Sequence, residues 1–536
     1  MTDLTTSYPL LTLVPPVLAL TLVIITKRVL ISLGAGVVAA ALLVHDLNPL
    51  DALGAVWRSF AAIFWADGAV NTWSVYILVF LLLLGVIAAF VLMSGGTTAF
   101  AAWALRRIRA RPGSMVLPAV LGVVIFIDDY FNALAVGQIS RPVTDQHRVS
   151  RAKLAYIIDS TSAPVSVLSP FSSWGAYIMG ILAPILAAST LSLSSVQAFL
   201  GAAVANFYAI AAALMVWLVI FFRIDLGAMR TEERRAITDG HVFDPAATVP
   251  GHLSDDLPVH CPGALRALFV PFALLVVGVF AGIVWTGQRA SGSWNVIDIL
   301  AATDASAALI FGGALGLASA VYYYLRNTRR NPEFVVSTFG RGWVEGIKSM
   351  LPAIAILLPA WMLGDLISQV GTGDYLGQLV EASSLSAAGL VPVVFLVAAA
   401  MSFATGTSWG SFGLLLPIAG GIINSMDEPA FLLPVLGAVL AGAVAGDHAS
   451  PISDTTILSA TGSGCNVITH VVTQLPYVLS ATACATLGYL ALALTGSTLV
   501  GLAVVVAALA VFVIVARSVT APISGTAPGT DPAITT

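Results

Sequence analysis

Apolar runs close to 20 residues recur from one end of this 536-residue chain to the other. That is the length an α-helix needs to cross a hydrocarbon core roughly 30 Å thick. The convincing runs are 9–26, 29–44, 73–93, 196–222, 264–286, 303–325, 348–368, 467–494 and 496–516. Only 9% of residues are charged, against about 25% in soluble domains, and the mean hydropathy is +0.96. Alternating strands of ~10 residues, the mark of an outer-membrane barrel, do not appear. The expected class is an all-α polytopic membrane protein, multi-pass in a bacterial inner (cytoplasmic) membrane, with the lipid bilayer as its solvent. The net charge of −4 sits mostly in loops, and no nucleic-acid partner is expected. Cys261, Cys465 and Cys484 lack the spacing of a disulfide framework or a zinc site, and no cofactor is expected. The first apolar run has neither a basic flank before it nor a small-x-small cleavage site after it, so it reads as a retained helix and not a signal peptide.

Three regions break the pattern. Segments 114–140, 154–188 and 388–463 are apolar but interrupted by Asp, Ser, Thr, Gly and Pro. Polar breaks at membrane depth are tolerated only where they are buried in protein or line a cavity. Basic clusters fall at Lys27–Arg28, Arg106–Arg111, Arg141–Lys153, Arg223–Arg235 and Arg326–Arg330, and such clusters favour the cytoplasmic side. All lie on one side only if 114–140 enters and returns as a re-entrant hairpin, tipped near Asp128, Asp129 and Asn132, and 154–188 crosses once as a broken helix. The order then recurs. Three helices are followed by a hairpin over 388–425 tipped at ATGTSWGS, a broken helix over 429–463 and a closing helix at 467–494. Parity gives the halves opposite orientations, an inverted-topology repeat with two re-entrant hairpins and two broken helices. Locally, DSTSAPVS (159–166) aligns with DHASPIS (447–453) to within one residue of spacing. The expected organisation is a first repeat at 1–223, a cytoplasmic linker at 224–263, a second inverted repeat at 264–494, an extra transmembrane helix at 495–516 and a disordered tail at 517–536.

The densest motif is GDHASPISDTTILSATGSG (446–464). It sets Asp447, His448 and Asp454 inside an apolar stretch. Pro451 frees backbone carbonyls, and Ser450, Ser453, Thr455 and Thr456 add hydroxyl oxygens. Such oxygen-rich sites suit a small hard cation, and half-helix ends add favourable dipoles. In IIDSTSAPVSVLSPFSSW (157–174), Asp159 precedes Pro164 and Pro170, around Thr161, Ser166 and Ser169; Asp159 also reads as a helix N-cap. Asp128 and Asp129 are adjacent and point about 100° apart on a helix. One of them is expected to face the cavity with Asn132, the other to cap or to pair with Arg141. ATGTSWGSFG offers Thr405, Thr407, Ser408 and Ser411, although its small residues suit helix packing equally. The Gly442-x-x-x-Gly446 spacing is assigned to helix packing alone.

Charge sign narrows the function. From Ser349 to Ala516 there is no Lys or Arg, yet there are seven acids. A charge at the bilayer centre costs at least ~2.5–3.5 kcal/mol, so embedded acids are expected to be protonated or ion-bound. One carboxylate that holds either H+ or Na+, never both, gives obligatory exchange. Na+ (or Li+) is placed at Asp159, Asp447 and Asp454 as the transported cation, with H+ as its counter-ion. No enzymatic activity is expected: HExxH is missing, and Asp447 and His448 face different ways on a helix.

FIDDYFNALAVG (126–137), RPVTDQHRVSRAKLAYIIDSTSAPVSVLSPFSSWGAY (141–177), FATGTSWGSFG (403–413), GDHASPISDTTILSATG (446–462) and THVVTQLPY (469–477) together resemble the NhaC family of Na+/H+ antiporters. The resemblance implies an ion-transporter-superfamily fold, with scaffold helices that form a homodimer and a transport part of hairpins and broken helices. It implies Na+/H+ antiport by alternating access. Relatives in the wider family include exchangers of small carboxylates such as malate and lactate. The alternative is therefore a Na+- or H+-coupled carrier of a small carboxylate or amino acid, its solute held by hydroxyls and half-helix N-termini.

Overall fold

Prolines, glycines and polar side chains divide the apolar sequence into helices that stop at membrane depth as well as helices that cross. The computed structural model describes residues 7–520, except 27, 67, 109, 127–128, 171, 247–256, 373, 376–377 and 379–384, together with residue 523. Asp128 and residues 521–522 and 524–536 of the tail lie outside the described residues; Arg517 to Val519, expected in the tail, continue the last helix.

The first half comprises α1 (Val14–Thr26), α2 (Val29–Val44), α3 (Pro49–Phe64), α4 (Thr72–Met93), α5 (Gly96–Arg107), α6 (Arg111–Val124), α7 (Asp129–Gln146), α8 (Arg151–Thr161), α9 (Ala163–Ser166), α10 (Ser173–Ala187), α11 (Ser195–Val204) and α12 (Phe207–Phe222). After α13 (Gly227–Thr238) come α14 (Arg266–Ser291), α15 (Val296–Ala301), α16 (Ala305–Thr328), α17 (Val336–Val370), α18 (Ala387–Thr405), α19 (Ser408–Ser425), α20 (Leu432–Ala449), α21 (Asp454–Ser463), α22 (Val467–Thr495) and α23 (Thr498–Val519). Between α3 and α4, two-residue strands β1 (Trp65–Ala66) and β2 (Ala69–Val70) pair antiparallel. Among the described residues, eight helices are long and apolar enough to cross a bilayer, or nine spans if α11 and α12 count as one bent at 56°. The protein is an all-α polytopic membrane protein.

Several boundaries differ from the sequence expectation. The run at 196–222 is not one helix. It breaks before Asn206, whose side chain accepts from Ala209 N–H and restarts the backbone as α12. The run at 348–368 is the C-terminal part of a 35-residue helix, which continues N-terminally through polar residues that include a Lys348–Glu345 pair at 3.1 Å. Helix α3 has no counterpart among the expected spans because only one of its faces is buried, through Ala52, Ala55, Ser59 and Ile63.

The linker at 224–263 contains α13, which is tied to the bundle. Glu233 is fully buried, pairs with Arg111 and accepts the Ser150 N–H at 2.8 Å. Lys153 at the start of α8 reaches Asp225 at 2.7 Å, so this basic residue is neutralised before the helix descends.

The breaks fall where the polar motifs lie. Helices α6 and α7 separate at 125–128, and Asn132 closes that turn by donating to the carbonyls of Gly122 (2.6 Å) and Ile125 (2.9 Å). Helices α18 and α19 separate at Gly406, which adopts the left-handed φ of 72°, and at Thr407. Helix α8 ends at Ser162, with φ −88° and ψ −89°, and α20 ends at Ser450 ahead of Pro451. Two hydrophobic cores result. One joins α8, α10 to α12, α18 to α20, α22 and α23; the other joins α2 to α4, α7, α14, α16, α17 and α21. Helix α20 is buried on all sides, as expected of a helix apolar all round. It lies so close to α18 that a Cβ on Gly442 would fall 2.0 Å from the Phe395 carbonyl oxygen, and one on Gly446 2.0 Å from that of Ala399.

Candidate functional site

The break between α20 and α21 carries the first cluster. Asp447, on the last turn of α20, is 2% exposed. Ser408 Oγ at the start of α19 donates to its Oδ2 at 2.9 Å, and Ser453 Oγ donates to its Oδ1 at 2.6 Å. Thr455 Oγ1 lies 2.9 Å from Ser453 Oγ. Asp454 opens α21, accepting from the Thr455 N–H at 2.8 Å and from the Tyr130 hydroxyl. Tyr130 follows Asp129, whose Oδ1 accepts from Trp174 Nε1 at 2.9 Å. The tip of the α6–α7 pair thus meets the α20–α21 break through one tyrosine.

The second cluster is centred on Asp159. It lies in the last turn of α8, not at its N-terminus, which removes the N-cap alternative. Its carboxylate, 1% exposed, takes hydrogen bonds from Ser459 Oγ (3.2 Å) and Thr456 Oγ1 (3.4 Å) on α21. His470 Nε2 on α22 lies 3.1 Å away, and His448 Nε2 3.8 Å away. His448 is thus turned from its neighbour Asp447 towards Asp159. Its Nδ1 meets the Tyr208 hydroxyl at 2.8 Å and its Nε2 the Ser160 hydroxyl at 3.2 Å. Gln474 Nε2 donates to the His448 carbonyl at 2.7 Å.

The remaining sequence-flagged residues shape the breaks. Asn132 also donates to the Thr161 carbonyl at 3.3 Å. Thr161 Oγ1 donates to Ile157 O (2.7 Å), Ser166 Oγ to Phe126 O (3.1 Å), Ser450 Oγ to Phe403 O (2.8 Å) and Thr405 Oγ1 to Met401 O (3.0 Å). Each hydroxyl has its proton committed to a backbone carbonyl yet retains acceptor capacity. Thr405 and Thr407 border a cavity of about 330 Å³ that reaches Asp454. Among the described residues no three His, Cys, Asp or Glu side chains close on one metal position. Asp159, Asp447 and Asp454 therefore do not converge on a single ion in this conformation. Arg141 lines a separate cavity with Asp145 and Arg151.

His470, Tyr208, Ser459, Tyr130 and Trp174 were not flagged as site residues. His470 and Tyr130 lie within the motifs singled out above, but their partners are 311 and 324 residues away, and one sequence carries no sign of such pairings. What the arrangement can do is hold small cations on carboxylate and hydroxyl oxygen, with two imidazole rings beside Asp159.

The sequence matches the Na+/H+ antiporter family model over residues 165–494. A Haemophilus influenzae protein described only as uncharacterized is 40% identical over 509 residues, 94% of each chain. An uncharacterized Na+/H+ antiporter of the same organism is 31% identical over 160 residues, 28% of this chain and 34% of the relative. A malate-2H+/Na+-lactate antiporter of Bacillus subtilis is 34% identical over 135 residues, 24% of this chain and 27% of the relative.

Proposed function

Given that the chain belongs to the Na+/H+ antiporter family, we propose that it exchanges Na+ or Li+ for H+ at Asp447, Asp454 and Asp159 by alternating access. The observation that carries this is Asp447: a carboxylate 2% exposed, held by two serine hydroxyls and facing no Lys, Arg or His among its described hydrogen-bond partners. A hydroxyl can donate to an empty carboxylate and turn its lone pairs to a cation, so Ser408 and Ser453 serve either occupant. The bound ion offsets the burial of the charge; without it a proton must take the ion's place, and exchange is obligatory. In this proposal Asp159 with His470 and His448 is the second carboxylate station. The family type is NhaC-like. The halves 1–223 and 264–494 form an inverted repeat, the basic loops lie inside a bacterial cytoplasmic membrane, and the scaffold helices pair two copies.

The test is purified protein in liposomes with no organic solute present. Na+ or Li+ must dissipate an imposed pH gradient. If cation movement appears only after malate, lactate or an amino acid is added, a coupled organic-solute carrier replaces the antiporter. The local match to the malate–lactate exchanger supports that second possibility.

A further inference from the structure

The cavity that reaches Asp454 is larger than a sodium ion requires, and its wall is aromatic. It encloses about 330 Å³, and Trp73, Tyr130, Trp361 and Trp409 line it together with Asp365 and Asp454. Its lining contains no Lys, Arg or His. The rings come from four different helices, and some of them touch: Trp73 lies 6.3 Å from Tyr130 and 6.1 Å from Trp409 between centroids. Trp409 is held from behind by Tyr177 at 4.6 Å and Trp174 at 5.7 Å. Trp73 is 42% exposed, so the cavity reaches the protein surface, and Asp454 is also among its lining residues.

Among the described residues the hydrogen-bond partners of the two acids are neutral. Asp365 accepts from Ser59 Oγ at 2.7 Å and Gln369 Nε2 at 3.0 Å; Asp454 accepts from Tyr130 and the Thr455 N–H. Two carboxylates without a cationic partner, beneath three indoles, make a region of negative potential with polarisable faces. Sodium keeps a tight shell of oxygen and gains little from an indole. Indole faces attract larger, weakly hydrated cations, and planar guanidinium stacks on them. A volume near 300 Å³ is the lower end for small-molecule sites. Exchange of Na+ for H+ at Asp447 uses neither the indoles nor Asp365.

We propose that this cavity binds a small organic cation with a guanidinium or alkylammonium head, its charge between Asp365 and Asp454 and its body against Trp361 and Trp409, and that the protein exchanges it for protons. The transport half of this proposal rests on the exchanger function proposed above; the binding half does not.

Methylguanidine is the probe, used with the full-length protein. Binding is read from quenching of tryptophan fluorescence. Exchange is read in liposomes as proton efflux driven by methylguanidine or, in parallel, by Na+. Saturable quenching and methylguanidine-driven efflux are expected. Trp409→Leu and Trp361→Leu should each weaken methylguanidine roughly ten-fold while Na+-driven efflux stays within about two-fold, and Trp409→Phe should keep most of the affinity. Na+ exchange with no methylguanidine binding, or equal loss of both ions' exchange in the two leucine variants, overturns the proposal and leaves the cavity as an entry path for inorganic ions. If no cation drives exchange yet methylguanidine binds and the leucine variants lose it, the exchanger function fails while the binding site stands.

Discussion

Ser453→Ala separates an ion ligand from a helix cap. Its hydroxyl donates to Asp447 Oδ1 at 2.6 Å, the shorter of the two described bonds to that carboxylate. A hydrogen bond to a charged group contributes about 1.5–3 kcal/mol, and the lower figure alone corresponds to about ten-fold in affinity. The same hydroxyl accepts the Thr456 N–H at 3.4 Å as the N-cap of α21, and losing a cap costs about 1 kcal/mol. Ser408→Ala is the matched control. Ser408 divides its proton between Asp447 Oδ2 at 2.9 Å and the Ala443 carbonyl at 3.2 Å, and it is not a cap. In liposomes, with the initial rate of pH-gradient dissipation followed against Na+ concentration, Ser453→Ala is expected to raise the KM for Na+ about ten-fold or more, and Ser408→Ala about three-fold. Thermal unfolding in detergent should fall measurably for Ser453→Ala only. If Ser453→Ala lowers the melting temperature while its KM for Na+ stays within two-fold of the parent, the hydroxyl is a cap and nothing more, and Asp447 is not the ion's carboxylate.

Asp447→Asn and Asp159→Asn should each abolish Na+-driven proton movement with expression retained, since removing an embedded charge does not destabilise the bundle; full transport by either variant removes that residue from the site. Gly446→Val would drive a side chain into the Ala399 carbonyl and should cost about 1–3 kcal/mol. The same substitution at Gly421, where a Cβ meets nothing within 4 Å, should leave the melting temperature nearly unchanged. Arg111→Leu strands the buried Glu233 carboxylate with the Ser150 N–H as its remaining described partner, and a loss of about 2–4 kcal/mol is expected; Glu233→Gln in the same background should recover part of it. With Cys261→Ser as background, a cysteine at Asp239 should react with an impermeant maleimide from inside and one at Ser425 from outside; reaction of both from one side refutes the proposed orientation of the halves.

What the sequence made visible were interruptions. Pro164, Pro451, Gly406 and the acids around them stand out because the surroundings are so uniformly apolar, and helix ends occur at each of them. Asp447 and Ser453 from one motif and Ser408 from another come together at one carboxylate. Partner choice was hidden. Adjacency on a helix turns His448 away from Asp447, but nothing local says that it turns towards Asp159, or that His470 is the imidazole nearest that carboxylate. Asn132, Thr161 and Ser166 read as ligands because they are polar at depth; their protons go to backbone carbonyls, that of Thr161 to one within its own helix, and their oxygens keep acceptor capacity. Helices α3 and α13 escaped for a different reason: one buries a single narrow face and the other is polar, so neither carries the apolar length that reveals a span.

Asp159 has a consequence for how the protein is made. Its described hydrogen-bond partners Thr456, Ser459 and His470 all lie about 300 residues further along the chain. Ribosomes add residues at about 5–20 per second, so on the order of 15–60 seconds pass between the synthesis of α8 and that of the groups that satisfy it. During that interval a bare carboxylate cannot rest in lipid. Helix α8 must wait, hydrated or sheltered by the insertion machinery, until α21 and α22 arrive. The two halves of the chain therefore mature together: a nascent chain arrested before residue 454 should be a substrate for membrane quality control, whatever the stability of its finished helices.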